Sequence, residues 1–466
     1  MSGFSSLNTA VTGLAAAQRA MDVTGQNIVN ANTPGYARQR VQLAETATAT
    51  TSTLFTGSKQ GVGGVTVDGV ARMKDAFVEA ARAAAGARQA ALTSRSAALT
   101  GAQQLLAEPG LTGLQATMDD FYAAWHDLGL NPSDVAAGSV VLQKGVAVTD
   151  QLRSVASGFA GQWTTSRESL KAVLTQANQA ARDLADVNGK ISAGLTAGRP
   201  VNELMDQRDI LARTLGTLVG GAAVPGPDGQ VSVSVNGVAL VAGTRSEQFT
   251  LAGADNISGA ATDPPRLMWG TTPVPVDSGA AAGHLAVLAT DLPALTARLD
   301  AVATGLRDVV NAVHQTGYTS TGDPGGDFFS GTDALTLKVV PTAPSGLAVT
   351  PVSGTVDGSV AMQLGDLSDD RAAETTLGRA GPSAQWRDLT TLLGVQVQSL
   401  KNAGDVQDSV VSAADAAVHA DSGVNLDEEM TNMLQFQRAY QAAARLVTTV
   451  DEMFDTLVNR TGTVGR

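Results

Sequence analysis

The sequence predicts an α+β fold, predominantly α, with coiled-coil helices at the two chain ends, a long-helix bundle as middle domain and a small inserted β domain. Heptad-spaced apolar residues mark both ends of the chain. Between about residues 74 and 220 the pattern is that of long helices joined by short connections. From Gly220 to about Gly283 it changes to alternating valines punctuated by glycine, proline and threonine. The implied boundaries are 1–70 with 426–466 for a terminal coiled-coil assembly domain, 71–222 with 286–425 for the bundle, and 223–285 for the outer β domain.

The first helix places Leu7, Val11, Leu14, Met21 and Ile28 on one seam, with Gln18 and Gly25 in the intervening slots. Pro34 ends it, because a residue before proline is pushed out of the helical region, and Pro34-Gly35 suits the centre of a type II turn. Residues 36–70 alternate apolar and polar side chains and predict one or two short hairpins. Helices follow from about Lys74 to Leu106, through "GLQATMDDFYAAWHDLGL", from about Val135 to Leu195 with Ser133 or Asp134 as cap, and through "RPVNELMDQRDILARTLGTLVGG".

In the insert, Val231, Val233 and Val235 share one face and Asn236-Gly237 marks a hairpin turn. Helix returns in "LPALTARLDAVATGLRDVVNAVHQTGY", gives way to the glycine-rich "TSTGDPGGDFFSG", and dominates again after about residue 385. The last helix has Asn425 at its N-cap, Glu428 where a capping box needs it, and Asp427, Glu428 and Glu429 at the favourable end of the helix dipole. Its seam reads Leu426, Met430, Met433, Gln437, Tyr440, Ala444, Val447, Asp451, Phe454, Val458. A second row, Leu446, Val450, Met453 and Leu457, predicts neighbours on two sides. A heptad pattern ordinarily marks an internal core. Its placement at both chain ends favours helices that order when other subunits arrive.

Composition argues against most chemistry. The chain has 466 residues, a formal net charge of −13 and no basic run, which speaks against a nucleic-acid partner. It has no cysteine, so thiolate catalysis and disulfides are excluded. Aromatic residues make up only 4%, which suggests closely packed helices more than an aromatic core. No run of apolar residues long enough for a membrane span is read, and no membrane partner is expected. The N-terminus lacks the basic and apolar regions of a general secretory signal. His126, His284, His314 and His419 are scattered, and no P-loop, nucleophile elbow or dinucleotide fingerprint occurs. "GDPGGDFF" reads as a tight turn, and the acidic pairs Glu203/Asp206 and Glu428/Glu429 as solvated faces or caps. No catalytic, metal or cofactor site is expected.

With these residues in view, "SSLNTAVTGLAAAQRAMDVTGQNIVNANTPGYARQRV" resembles the N-terminal signature of bacterial flagellar rod, hook and hook-associated proteins. "SGVNLDEEMTNMLQFQRAYQAAARLVTTVDEMFDTLVN" is similar to the C-terminal helix of the same family. "NELMDQRDILARTLGTLV" and the Asn-x-x-His helix leading into Phe328-Phe329 resemble segments of its hook-associated branch. The resemblance implies a structural subunit of the hook–filament junction, exported by the flagellar type III apparatus and assembled as a homo-oligomeric ring beside neighbouring hook and hook-associated proteins. Leu7, Val11, Leu14, Met21 and Ile28 would then meet Met430, Met433, Tyr440, Val447 and Phe454 within or between subunits, with Asn32, Pro34, Gly35 and Tyr36 as the exit from the first helix. It also implies an export chaperone on the C-terminal helix, with Met430, Leu434 and Phe436 as contacts. Two alternatives stand beside this: a flagellar rod or hook subunit, and an exported cell-wall glycan hydrolase.

Overall fold

The computed structural model describes residues 2–46, 63–110 and 112–459. The tip of the 36–70 extended segment, residues 460–466 of the terminal domain and the side chain of Leu457 lie outside the described residues. Helix α1 (Ser2–Asn30) ends as the proline requires. The Tyr36 N–H donates to the Thr33 carbonyl at 3.2 Å and Gly35 takes φ +82°, which closes the type II turn. Strands β1 (Gln39–Thr46) and β2 (Gly64–Arg72) form a single antiparallel hairpin with a register shift at Gln42/Leu43.

The bundle begins with α2 (Ala76–Gln104), where the Asp75 carboxylate accepts from the Phe77 and Val78 N–H groups, and continues with α3 (Leu114–Leu130). Helix α4 (Val135–Thr196) starts at an Asp134 cap and has 62 residues; at ~1.5 Å per residue it is roughly 90 Å long. Helix α5 (Asn202–Val219) stops on Gly220 in the left-handed conformation.

The insert is two small antiparallel sheets. One holds β3 (Ala222–Pro225), β4 (Val231–Val235), β5 (Val238–Ala242) and β6 (Arg245–Ser246) in sequence order; the other holds β7 (Phe249–Ala252), β8 (Arg266–Trp269) and β9 (Thr272–Val274). Asn236 and Gly237 both take positive φ, as a two-residue hairpin turn demands. Two asparagines of α4 tie the sheets to the bundle: Asn188 exchanges hydrogen bonds with both backbone groups of Val231, and Asn178 does the same with Phe249. The β texture ends before residue 285, because α6 (Gly279–Ala286) is already helical and packs on α2. At Gly283 a side chain would collide with Ser94.

Helix α6 passes through one π-turn, Val287–Asp291, into α7 (Leu292–His314). The π-turn is used: the Leu288 carbonyl accepts from the Trp163 indole at 3.0 Å, and buried Asp291 takes both nitrogens of the Arg95 fork at 2.8 Å and the Gln396 amide at 2.9 Å. Contrary to the sequence reading, Gly279–His314 is long and apolar enough to cross a membrane by length and composition. Its row Leu292, Leu295, Leu299, Val302, Leu306 and Val309 is buried in the protein core.

Short strand pairs follow, then α8 (Ser359–Asp366), α9 (Asp370–Leu377), α10 (Pro382–Ser422) and α11 (Leu426–Asn459). The core is more aromatic than composition suggested. Phe121, Tyr122 and Trp125 of α3 meet Phe328, Phe329 and His314, with ring centroids 4.7 to 6.3 Å apart. His314 is neutral: the Ala348 N–H donates to Nε2 at 3.0 Å, Nδ1 donates to the Gly326 carbonyl at 2.7 Å, and burial lowers its pKa. One histidine thereby holds the glycine-rich turn against the aromatic cluster.

Candidate assembly interface

Helices α1 and α11 pack antiparallel: Gly25 lies beside the Met433 methyl, and further along α1 Asn27 meets Glu429, which is earlier in α11. Helix α1 also packs on the β1–β2 hairpin. The buried row of α1 is Ala10, Ala16, Ala17, Ala20, Val23, Thr24 and Asn27. The heptad residues Leu7, Leu14, Met21 and Ile28 flank it half-buried, and Val11 is 50% exposed. On α11, Met433, Phe436, Tyr440, Val447 and Phe454 are half-buried, Val450 is buried, and Met430 and Leu434 are 55% and 51% exposed. Within one copy, therefore, Val11 and Met430 are not packed seam residues. Alanines, whose small side chains allow the backbones to approach closely, take the centre and displace the larger side chains to the rim.

The break after α1 is built around Asn27. Its Oδ1 accepts from the Gln39 N–H at 2.9 Å and the Tyr36 hydroxyl at 2.8 Å; its Nδ2 donates to the Gln39 carbonyl at 2.8 Å and to Glu429 Oε2 at 3.0 Å. All four hydrogen-bonding positions of the amide are filled. Glu429, 2% exposed, also accepts from Arg38 Nε at 2.8 Å, while Arg38 Nη1 reaches Glu428 at 3.0 Å. The backbone of Arg38 closes the corner, with its N–H on the Ser422 carbonyl at 3.0 Å and its carbonyl receiving the Met73 N–H at 2.8 Å. Burial and the nearby carboxylates of Asp206, Glu429 and Glu203 push Tyr36 up to about 12.

Asn425 caps α11, accepting from the N–H groups of Asp427 and Glu428. The capping box is not completed, because Glu428 turns to Arg38 instead. Asn30 donates to the Gln26 carbonyl at 3.0 Å, whereas Asn32 and Pro34 are exposed. Each acidic pair is split: Glu203 and Glu428 are exposed, whereas Asp206 and Glu429 are buried and bound to arginines, so the reading as solvated faces or caps fails for these two.

A second cluster joins the hairpin to the bundle. Asp206 and Asp209 of the Asp-Gln-Arg-Asp stretch in α5 accept from Arg72 at 2.5 and 2.7 Å, and Asp209 also from Lys74 at 2.8 Å and Arg208 at 2.7 Å. Burial pushes Asp209 up, but Lys74, Arg208 and Arg72 outweigh it and bring its pKa to about 2. At Asp206 burial wins over Arg72, and the pKa is raised. Asn202 adds bonds to Gln39 Oε1 and the Val70 carbonyl. Sequence reading missed this latch; the available signal was the cationic pair Arg72 and Lys74 closing β2 opposite an acidic helix. Among the described residues no three His, Asp or Glu side chains are grouped to hold a metal.

Comparison with known proteins covers both ends and the middle. The family profile "Flagellar hook-associated protein FlgK helical domain" matches residues 99–329, "Flagella basal body rod protein" matches 7–36, and "Flagellar basal body rod FlgEFG protein C-terminal" matches 420–460. Flagellar hook-associated protein 1 of Bacillus subtilis is 28% identical, with all of both chains aligned. Its Escherichia coli counterpart is 26% identical over 97% of this chain and 99% of its own. The solved flagellar hook junction protein FlgK from Burkholderia pseudomallei shares the fold with a TM-score of 0.64 at 13% identity, covering 72% of this chain and 98% of that one. These relatives are flagellar structural proteins. The chain belongs to the flagellar rod, hook and hook-associated protein family, in its FlgK branch.

Proposed function

We propose that this chain is a subunit of the hook–filament junction, exported through the flagellar type III apparatus and built into a homo-oligomeric ring by its terminal helices. The observation that carries the reading is the α1–α11 pair: it leaves Val11, Met430 and Leu434 about half exposed, while an asparagine-centred clamp holds the pair to the rest of the chain. Full-length similarity to hook-associated proteins supports the same reading. In the ring, Leu7, Val11, Leu14, Met21 and Ile28 of one copy pack with Met430, Met433, Tyr440, Val447 and Phe454 of its own or a neighbouring copy, and hook and hook-associated proteins lie above and below. Residues 1–70 with 426–466 act as the assembly domain, the bundle makes lateral contacts, and 223–285 faces outward. Before export a chaperone covers Met430, Leu434 and Phe436; the first two are already accessible on α11. Deleting residues 1–30 or 430–466 abolishes incorporation at hook tips in immunogold images of isolated flagella. Unchanged labelling of hook tips by either deletion would sink the proposal.

A further inference from the structure

A cleft of about 1130 Å³ separates the terminal module from the bundle, lined by β2, α2, the end of α4, α5 and β3. Its floor is the face of α2 that carries Ala76, Ala80, Ala83, Ala84 and Ala87, turned away from α10, which grips α2 through Arg82 and the Ala85 carbonyl. In a chain of net charge −13, cationic side chains outnumber carboxylates seven to three around this cleft. The side chains of Arg19, Arg88 and Arg199 are exposed and make no hydrogen bond or ion pair among the described residues. Arg72, whose side chain is only 9% exposed, also lines the cleft; its Nη2 is engaged by Asp206 and Asp209, but its buried Nε has no acceptor. A small-residue floor with unpaired arginines at its rim suits a helix that presents short apolar side chains flanked by carboxylates.

The same chain carries such a helix face. Helix α10 exposes Leu392 (42%), Val395 (65%), Val406 (66%) and Val410 (46%) along one side. Asp388 falls in line with that stripe and Asp405 borders it, and both are exposed with no side-chain partner among the described residues. We propose that the cleft of one copy seats the α10 face of a second copy, with Val406 and Val410 against the alanine floor and Asp388 and Asp405 toward the rim arginines. This contact rests on the ring reading and supplies its lateral interface. It joins two different surfaces, so it propagates from copy to copy as a ring must.

The chain has no cysteine, so introduced thiols are unique. Val406→Cys is combined in turn with Ala80→Cys, Ala84→Cys and Ala87→Cys, and flagella from producing cells are treated with a short bismaleimide. At least one pair gives a ladder of cross-linked multimers, because each copy offers both faces; the single variants stay monomeric. Assembled junctions in which none of the pairs yields a ladder overturn the contact but leave the ring reading standing. A wild-type chain that never enters hook tips overturns the ring reading itself. Arg88→Glu with Arg199→Glu lowers incorporation by about tenfold and more at low salt than at high, and adding Asp388→Arg with Asp405→Arg restores it. Unchanged incorporation of the reversed variant, or no rescue, also overturns the contact.

Discussion

Around Phe121 and Trp125 the chain buries large rings to no measurable exposure, whereas between α1 and α11 the buried row is mostly alanine and the firm points are an asparagine and a glutamate. The bundle is stabilised by apolar area, at about 25 cal/mol per Å² removed from water. Alanine offers little of that area, so the terminal module depends on hydrogen-bond geometry at one end of its helix pair. Its larger apolar side chains sit at the rim, where Val11, Met430 and Leu434 stay about half exposed. One region is complete within the chain; the other is held in place but not fully covered.

The largest test of this contrast is Trp125→Ala, which empties the centre of the aromatic cluster. We expect a loss of about 3 to 5 kcal/mol in denaturant unfolding of the bundle. Hydrogen exchange should show α3, α4 and α7 opening together. If the variant unfolded with an unchanged midpoint, the bundle would not owe its stability to this cluster.

Glu429→Ala attacks the other region. It leaves one Asn27 amide hydrogen unfilled and takes away one of the two carboxylates on Arg38, which keeps Glu428, at a site where the glutamate is 2% exposed, a change that costs about 2 kcal/mol. Amides of α1 and α11 should then exchange faster while those of α4 keep their protection. Equal loss of protection in α4 would show that module and bundle open as one unit and would dissolve the comparison.

Much of the fold was legible because its signals are local. The long-helix cap at Ser133 or Asp134, which the structure assigns to Asp134, the Asn236-Gly237 turn, the Pro34-Gly35 break and the Asn425 cap each depend on a few adjacent residues, and each appears in the structure. Three features were not legible, for separate reasons. The centre of the α1 seam was missed because alanine carries almost no weight in a periodicity reading, yet close helix approach selects it. The aromatic cluster joins residues about two hundred positions apart, and sparse aromatics give no hint that they will gather. Glu429 looked like a dipole-favoured first-turn carboxylate, and only the fold shows that Asn27 and Arg38 remove it from water.

The smallest effect concerns the latch that couples the two regions. Asp209 titrates near pH 2 in the folded chain, below its ordinary value of 3.8. A carboxylate with a depressed folded pKa contributes stability that is fully present above its unfolded pKa and is lost as pH falls through the folded value; here that contribution is about 2 kcal/mol. Asp206 acts in the opposite sense, since its raised pKa means that acidification relieves the cost of burying its charge. The wild-type chain alone therefore shows a blunted dependence. The difference between wild type and Asp209→Asn isolates the latch. That difference in stability should be largest near pH 5 and shrink steadily toward about pH 2. Exchange at Asn202 and along β2 should rise before exchange in α4. A difference that stayed constant across this range would mean that the hairpin is held by Asn202 and packing, with the charges of Arg72 and Lys74 contributing nothing specific to Asp209.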